Sequence, residues 1–190
     1  QKGAEDRQDE GAAALQSRSL EANDVVAGIA ASGVTPFVLG ALAEARKLDA
    51  ATLFLTCNPS SAKRMAADVK IVLEVGPEVI TGSTRLKAGT ATKLVLNMIT
   101  TAAMVQLGKV YSNLMVDLTP SCAKLQNRAE HILWEITGLS SEESQHALKA
   151  AGNDLKTAIT MVKRAVSRET AHQLLARHHG VIKKALVEEI

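Results

Sequence analysis

Along the first half of the chain, short unbroken apolar runs alternate with stretches of helical period. Residues 25–30 (VVAGIA) follow Asn23 and Asp24, residues 52–57 (TLFLTC) end at Asn58-Pro59-Ser60-Ser61, and residues 69–75 (VKIVLEV) end at Gly76-Pro77. Each predicts a buried strand, because a short apolar run closed on both sides by turn formers suits a strand covered on both faces. Between the runs, Pro36 fits the first turn of a helix that continues through Arg46, and a shorter helix is expected near residues 62–67. The polar, acidic opening over residues 1–22 has room for a short helix around residues 11–15. Strands alternating with helices predict an α/β fold, a parallel sheet flanked by helices. Ligands of such sheets sit beyond the carboxyl ends of the strands, where the loops carrying Ser32, Asn58 and Ser83 fall.

Residues 88–107 form the next long helix, and Leu94, Val95, Leu96, Met98, Ile99, Met104, Val105 and Leu107 put apolar groups around most of its circumference. A helix apolar nearly all round predicts burial, here between the sheet and another subunit, so a homodimer is expected. Gly108 fits its stop, and residues 108–117 are expected to turn into the next helix. From about Pro120 the pattern is purely helical. Leu155, Ile159 and Val162 mark one buried face, Gly138 ends a helix, and Ser140 with Glu143 reads as a capping box for the next. His178-His179 before Gly180 reads as a helix end or surface pair rather than a metal site, with no acidic or Cys residue near it in sequence. A last amphipathic helix begins at Val181.

Composition narrows the function classes. With 46% hydrophobic residues among 190, the chain can bury a sizeable core. A net charge of +2 and only 2% aromatics give no reason to expect a polyanion or a stacked nucleobase, so no nucleic acid partner is expected. Cys57 and Cys122 are too few for a disulfide framework or a zinc site, and no metal is expected. No apolar stretch is long enough to span a bilayer and the start lacks a signal-peptide core, so the expected setting is cytoplasmic, without a membrane partner.

Candidate chemistry concentrates in residues 76–90, GPEVITGSTRLKAGT, where a strand ends and a helix begins. The unpaired N–H groups and dipole of a helix's first turn favour an anion, and Ser83, Thr84, Arg85 and Lys87 add donors around a phosphate. An ordinary capped helix start uses the same residue types. In the earlier loop, Gly33 lets backbone approach a ligand, while Ser32 and Thr35 set hydroxyls at a helix N-terminus. Asn58 reads first as a turn former and second as a ligand.

GPEVITGSTRLKAGTATKLVLNM, residues 76–98, resembles the signature of the N-acetylmuramic acid 6-phosphate etherases and of their relative, the glucokinase regulatory protein. GAED at residues 3–6, VAGIAASGVTPF at 26–37, TCNP at 56–59 and GKVYSNLMVD at 108–117 follow in the expected order, so the resemblance covers nearly the whole chain and favours the etherase branch. It implies a sugar isomerase domain, a three-layer sandwich, over residues 1–119. The family's domain opens with an earlier strand and a glycine- and serine-rich loop to which nothing here corresponds, so the first βαβ part is expected to be missing and the chain to be the C-terminal two-thirds. Residues 120–190 are then a small helical domain, and residues 138–159 are similar to the three-helix ubiquitin-associated fold, with packing or dimer contacts as the expected role. The resemblance also implies that Ser32, Gly33 and Thr35 hold the sugar's phosphate, although Val34 stands where the etherase pattern usually has an arginine. Asn58, Glu78, Ser83, Thr84, Arg85 and Lys87 complete the expected phosphosugar site.

The implied reaction cleaves the D-lactyl ether of N-acetylmuramic acid 6-phosphate to N-acetylglucosamine 6-phosphate and D-lactate, in cell-wall amino sugar recycling. Alkoxide is a poor leaving group, so the easier route starts from the open-chain sugar, whose C2 proton lies beside the aldehyde. A base removes that proton, lactate leaves with a proton from an acid, and water adds to the double bond, without metal, redox group or other cofactor. Family members use two glutamates, one of which matches Glu5 and is assigned the base; the other belongs to the missing part. Two further readings stay open. A non-catalytic sugar-phosphate-binding regulator would keep Ser32, Thr35 and Ser83 without needing Glu5, and an aldose-ketose phosphosugar isomerase would use the same phosphate loop while leaving the substituent intact.

Overall fold

The computed structural model describes residues 3–188. By compactness the chain divides into two units, one up to Asn97 and one from Met98, and the division falls within a single helix. The first unit holds a 3-10 turn (Ala4–Asp6), α1 (Gln8–Gln16), β1 (Val25–Ile29), α2 (Pro36–Lys47), β2 (Ala51–Thr56), α3 (Pro59–Arg64), β3 (Val69–Val72) and the start of α4 (Lys87–Gln106). The three strands form the expected parallel sheet in the order β1-β2-β3, with Ile29 opposite Leu55 and Thr56 opposite Val72. Parallel neighbours need a crossover, and α2 and α3 supply the two.

Local chemistry sets the boundaries. α2 starts with Pro36 after Thr35, as the fixed φ of proline favours. α3 begins earlier than the expected residues 62–67, because the Asn58 carboxamide oxygen accepts from the N–H groups of Ser60 and Ser61 and Pro59 is preset for the first turn. β3 ends at Val72, before the expected residue 75. Leu73 still donates to the Thr56 carbonyl, but the Val75 N–H turns back onto Leu73, which breaks the extended course.

Leu42 of α2 and Phe54 of β2 are fully buried, with Ala30, Val26 and Val38 packed around them. Below α2 the sheet has Gly28, where a Cβ would lie 2.5 Å from Leu42 Cδ1. α1 in turn packs on α2 through two glycines: a Cβ at Gly11 would stand 2.0 Å from the Phe37 carbonyl oxygen, and one at Gly40 would stand 1.9 Å from that of Gln8. At the far end of the same contact, the buried Glu44 accepts from Gln16 Nε2 at 2.7 Å and Lys47 Nζ at 3.0 Å, and these bonds hold its carboxyl below the ordinary range.

Two expectations of burial are corrected. The sheet face carrying Val25, Ile29 and Val69 is open, with Val25 70% and Val69 51% exposed, rather than covered like the α2 face. Along α4 the expected cover from the sheet is likewise missing: Ala88 is its buried residue, while Leu94, Met98, Ile99, Met104 and Val105 are exposed in the single chain. An apolar run records that a surface needs cover, not which segment supplies it.

In the second unit the rest of α4 leads to a small antiparallel hairpin, β4 (Val110–Tyr111) and β5 (Leu114–Met115), in place of the expected turn into a helix. Ser112 takes the left-handed conformation between them, which lets the chain reverse within two residues. Five helices follow: α5 (Ala123–Thr137), α6 (Ser141–Ala150), α7 (Leu155–Arg164), α8 (Arg168–Arg177) and α9 (Ile182–Val187). Leu133, Leu148, Leu155 and Ile159 are fully buried in one core, which Val116 and Leu118 join. The Ser140–Glu143 capping box forms as read, Gly138 ends α5 in the left-handed region, and Asp154 caps α7 through Thr157 N–H. His178 ends α8 but does have an acidic neighbour, Glu188, 2.8 Å away; chain reversal after Gly180 brings it there. Among the described residues no group of three His, Cys, Asp or Glu side chains is placed to hold a metal, and no helix is long and apolar enough to cross a membrane.

Two stability predictions arise in this unit. Ser144 is fully buried and its hydroxyl has no partner among the described residues. Ser144→Ala is therefore expected to stabilise the unit by about 1 kcal/mol, raising its melting midpoint by roughly 4–8 °C in calorimetry. Asp117 pairs with Lys109 and with Lys156, the latter at 2.9 Å, and these bonds hold its carboxyl below the ordinary range. A carboxylate whose folded value is depressed contributes stability that is present above its unfolded value, about 4, and is lost as pH falls through the folded one. Asp117→Asn is expected to lower the melting midpoint at pH 6–7 and to match the parent at the acid end of a pH series.

Candidate functional site

Three loops meet at the carboxyl edge of the sheet, because β1, β2 and β3 are parallel and in register. The first, residues 30–35, leaves β1. Gly33 is buried with φ +75°, and Gly33 N–H donates to Ala30 carbonyl at 2.9 Å, closing a tight turn. Thr35 lies half-buried beside it, while Ser32 and Val34 are exposed. Thr35 occupies the cap position of α2 without its hydroxyl making the capping bond, which among the described residues leaves that hydroxyl uncommitted at the helix N-terminus.

The second loop leaves β2 and contains Cys57 and Asn58. Both ends of the Asn58 carboxamide are engaged: its oxygen caps α3, and Nδ2 donates to the Ser32 carbonyl at 3.0 Å. Asn58 thus acts in the structure as a turn former that also ties two loops together. Burial and then the Glu78 charge push the Cys57 thiol up, which keeps it protonated and marks the third loop as its neighbour.

The third loop runs from β3 to α4, and here the anion at the helix start is the chain's own. The Glu78 carboxylate accepts from Ala88 N–H at 3.0 Å and Lys87 N–H at 2.9 Å, and these bonds hold it below the ordinary carboxylate range. Two of the first-turn donors read from the sequence as a phosphate seat are thereby occupied. The Lys87 ammonium lies over Gly76, 3.7 Å from where a Cβ would stand. Thr84, Arg85 and Lys87 are exposed and Ser83 is half-buried, its N–H donating to Ile80 carbonyl at 3.1 Å.

Glu5 sits in the 3-10 turn ahead of α1 and is exposed. That turn packs against α2. Gln8 of α1 touches Gly40, Gly11 meets Phe37 and Ala41, and Gln16 bonds Glu44, so α1 crosses closely over α2 and holds the preceding turn against it. Thr56 and Ser61 were not singled out by the sequence: their buried hydroxyls bond the carbonyls of Ala31 and Ser32. The hydroxyl cluster over residues 56–61 was the available signal.

No family model matches the chain. It is 50% identical over 185 residues to a protein of Actinobacillus pleuropneumoniae serotype 7 (strain AP76) named N-acetylmuramic acid 6-phosphate etherase, covering 97% of this chain and 61% of that one. Proteins of the same name from Yersinia pestis (strain Pestoides F) and Yersinia pseudotuberculosis serotype O:1b (strain IP 31758) are each 51% identical over 184 residues, covering 97% of this chain and 62% of theirs. The chain is thus homologous, over nearly its whole length, to proteins named N-acetylmuramic acid 6-phosphate etherase, and it spans about three fifths of the length of these curated relatives.

Proposed function

We propose that this chain carries the phosphate loop and one of the two proton-transfer carboxylates of an N-acetylmuramic acid 6-phosphate etherase, a carbon-oxygen lyase that releases D-lactate. The observation that carries the reading is the meeting, at the carboxyl edge of one sheet, of the residue 30–35 loop, the Asn58 loop and the Glu78 loop, in a chain half identical to proteins of that name. Ser32, Gly33 and Thr35 hold the phosphate. Glu78 orders the third loop against the sugar, with Ser83, Thr84, Arg85 and Lys87 at its rim and Asn58 behind it. Glu5 removes the C2 proton of the open-chain sugar, and an acid on the remainder of the protein delivers the proton with which lactate leaves.

Residues 1–119 are read as part of a sugar isomerase domain whose remaining layer covers the open sheet face, and residues 120–190 as a small ubiquitin-associated-like helical domain. The apolar face of α4 supports a homodimer. The setting is cytoplasmic, where a phosphorylated amino sugar is available.

The test compares lactate release from N-acetylmuramic acid 6-phosphate and from its unphosphorylated form by the full-length protein. Release from the phosphate ester alone is expected. Equal release from both would remove the phosphate loop from the account, and binding without release would leave the sugar-phosphate-binding regulator.

A further inference from the structure

We propose that Thr56, Asn58 and Ser61 are positioning residues that turn the phosphate loop's carbonyl groups inward, so that the loop meets an anion with its hydroxyls and N–H groups. The inference rests on the reading that residues 31–35 hold the sugar's phosphate.

Consecutive carbonyls in a tight loop point lone pairs at whatever approaches, and a phosphate dianion is repelled by them. Here the two carbonyls just before Gly33 are both withdrawn, each by two donors. Ala31 carbonyl accepts from Cys57 N–H at 3.0 Å and from the Thr56 hydroxyl at 3.3 Å. Ser32 carbonyl accepts from Asn58 Nδ2 at 3.0 Å and from the Ser61 hydroxyl at 3.3 Å. Every one of these donors comes from the end of β2 or the first turn of α3.

The donors have fixed directions. Thr56 Oγ1 accepts from Asn58 N–H at 3.1 Å, which leaves its proton for Ala31. The Asn58 oxygen is committed to the α3 cap, so its NH₂ end faces Ser32. Thr56 is 1% and Ser61 3% exposed, so neither hydroxyl reaches a ligand and both act through the loop. Gly33 seats directly on this clasp: a Cβ there would lie 2.3 Å from Ser61 Cβ and 2.8 Å from Thr56 Oγ1. The absence of a side chain at Gly33 and the two buried hydroxyls therefore form one device, which brings the loop close and keeps its carbonyls down.

The test measures KM, kcat and competitive inhibition by inorganic phosphate in the full-length protein for Thr56→Val, Thr56→Ser, Ser61→Ala and the Thr56→Val/Ser61→Ala pair. Val keeps the shape of Thr without its hydroxyl. Each single loss is expected to raise KM and the phosphate inhibition constant together by about threefold, and the pair by about tenfold, with kcat little changed, as the loss of one or two modest hydrogen bonds implies. Thr56→Ser is expected to keep parent values. A lowered melting midpoint with unchanged phosphate inhibition would overturn the proposal, since a purely structural clasp would behave that way. Ser32→Ala/Thr35→Ala separates the two levels: unchanged phosphate inhibition in that variant would sink the phosphate loop itself. If the paired variant fails to fold, the two single variants decide.

Discussion

Glu5→Gln in the full-length protein is expected to cut lactate release from N-acetylmuramic acid 6-phosphate by roughly 10²- to 10⁴-fold, with KM little changed. Glutamine keeps the size and hydrogen-bonding reach of glutamate but cannot take a proton, so the change isolates proton transfer from binding. The side chain is exposed in the 3-10 turn, where loss of the charge disturbs no packing. The melting midpoint is accordingly expected to stay at the parent value. A variant that keeps full turnover would take Glu5 out of the chemistry and return the base to another carboxylate, with Glu78 the next to test. A variant that loses binding instead would make Glu5 a substrate contact.

Gly40→Ala is the second large effect, and its sign runs against helix propensity. In an exposed helix interior the change is worth about 1 kcal/mol in favour of alanine. Here the new methyl would stand 1.9 Å from the Gln8 carbonyl oxygen, a backbone atom that gives way only if α1 moves off α2. Overpacking of this kind costs about 1–3 kcal/mol, so a net loss of stability is expected. The same displacement would carry away the turn bearing Glu5, so kcat is expected to fall while inhibition by inorganic phosphate, which depends on the loop after β1, is retained. Chemical denaturation and steady-state kinetics on one preparation check both halves. A stabilised, fully active Gly40→Ala protein would show that the α1–α2 contact does not position the turn.

The parallel strands, the start of α2 and the α6 cap were legible because each depends on a few neighbouring residues. Asn23-Asp24 before VVAGIA, Pro36 after Thr35, and Ser140 with Glu143 are local signals, and the corresponding elements appear where they point. What the sequence could not supply were relations between distant residues. Continuous apolar runs in β1 and α4 did not reveal that Val25 and Met98 would stand exposed in this chain. The donor-rich start of α4 looked open to a phosphate because nothing local says that Glu78, nine residues before Lys87, folds back to fill it. In the same way Thr56 and Ser61 read as a strand end and a turn, and only the pairing of β1 with β2 brings them under the Ser32 loop. The hairpin at β4 and β5 was missed because its strands are too short to show a period.

The most direct measurement is turnover of N-acetylmuramic acid 6-phosphate by the full-length protein in heavy water, reading the isotope at C2 of the amino sugar product. If a carboxylate on this chain removes the C2 proton and solvent returns one, the product carries deuterium at C2, one per lactate released, and Glu5→Gln slows the two together. Lactate released from a product that keeps its original C2 proton would contradict elimination and, with it, the role given to Glu5.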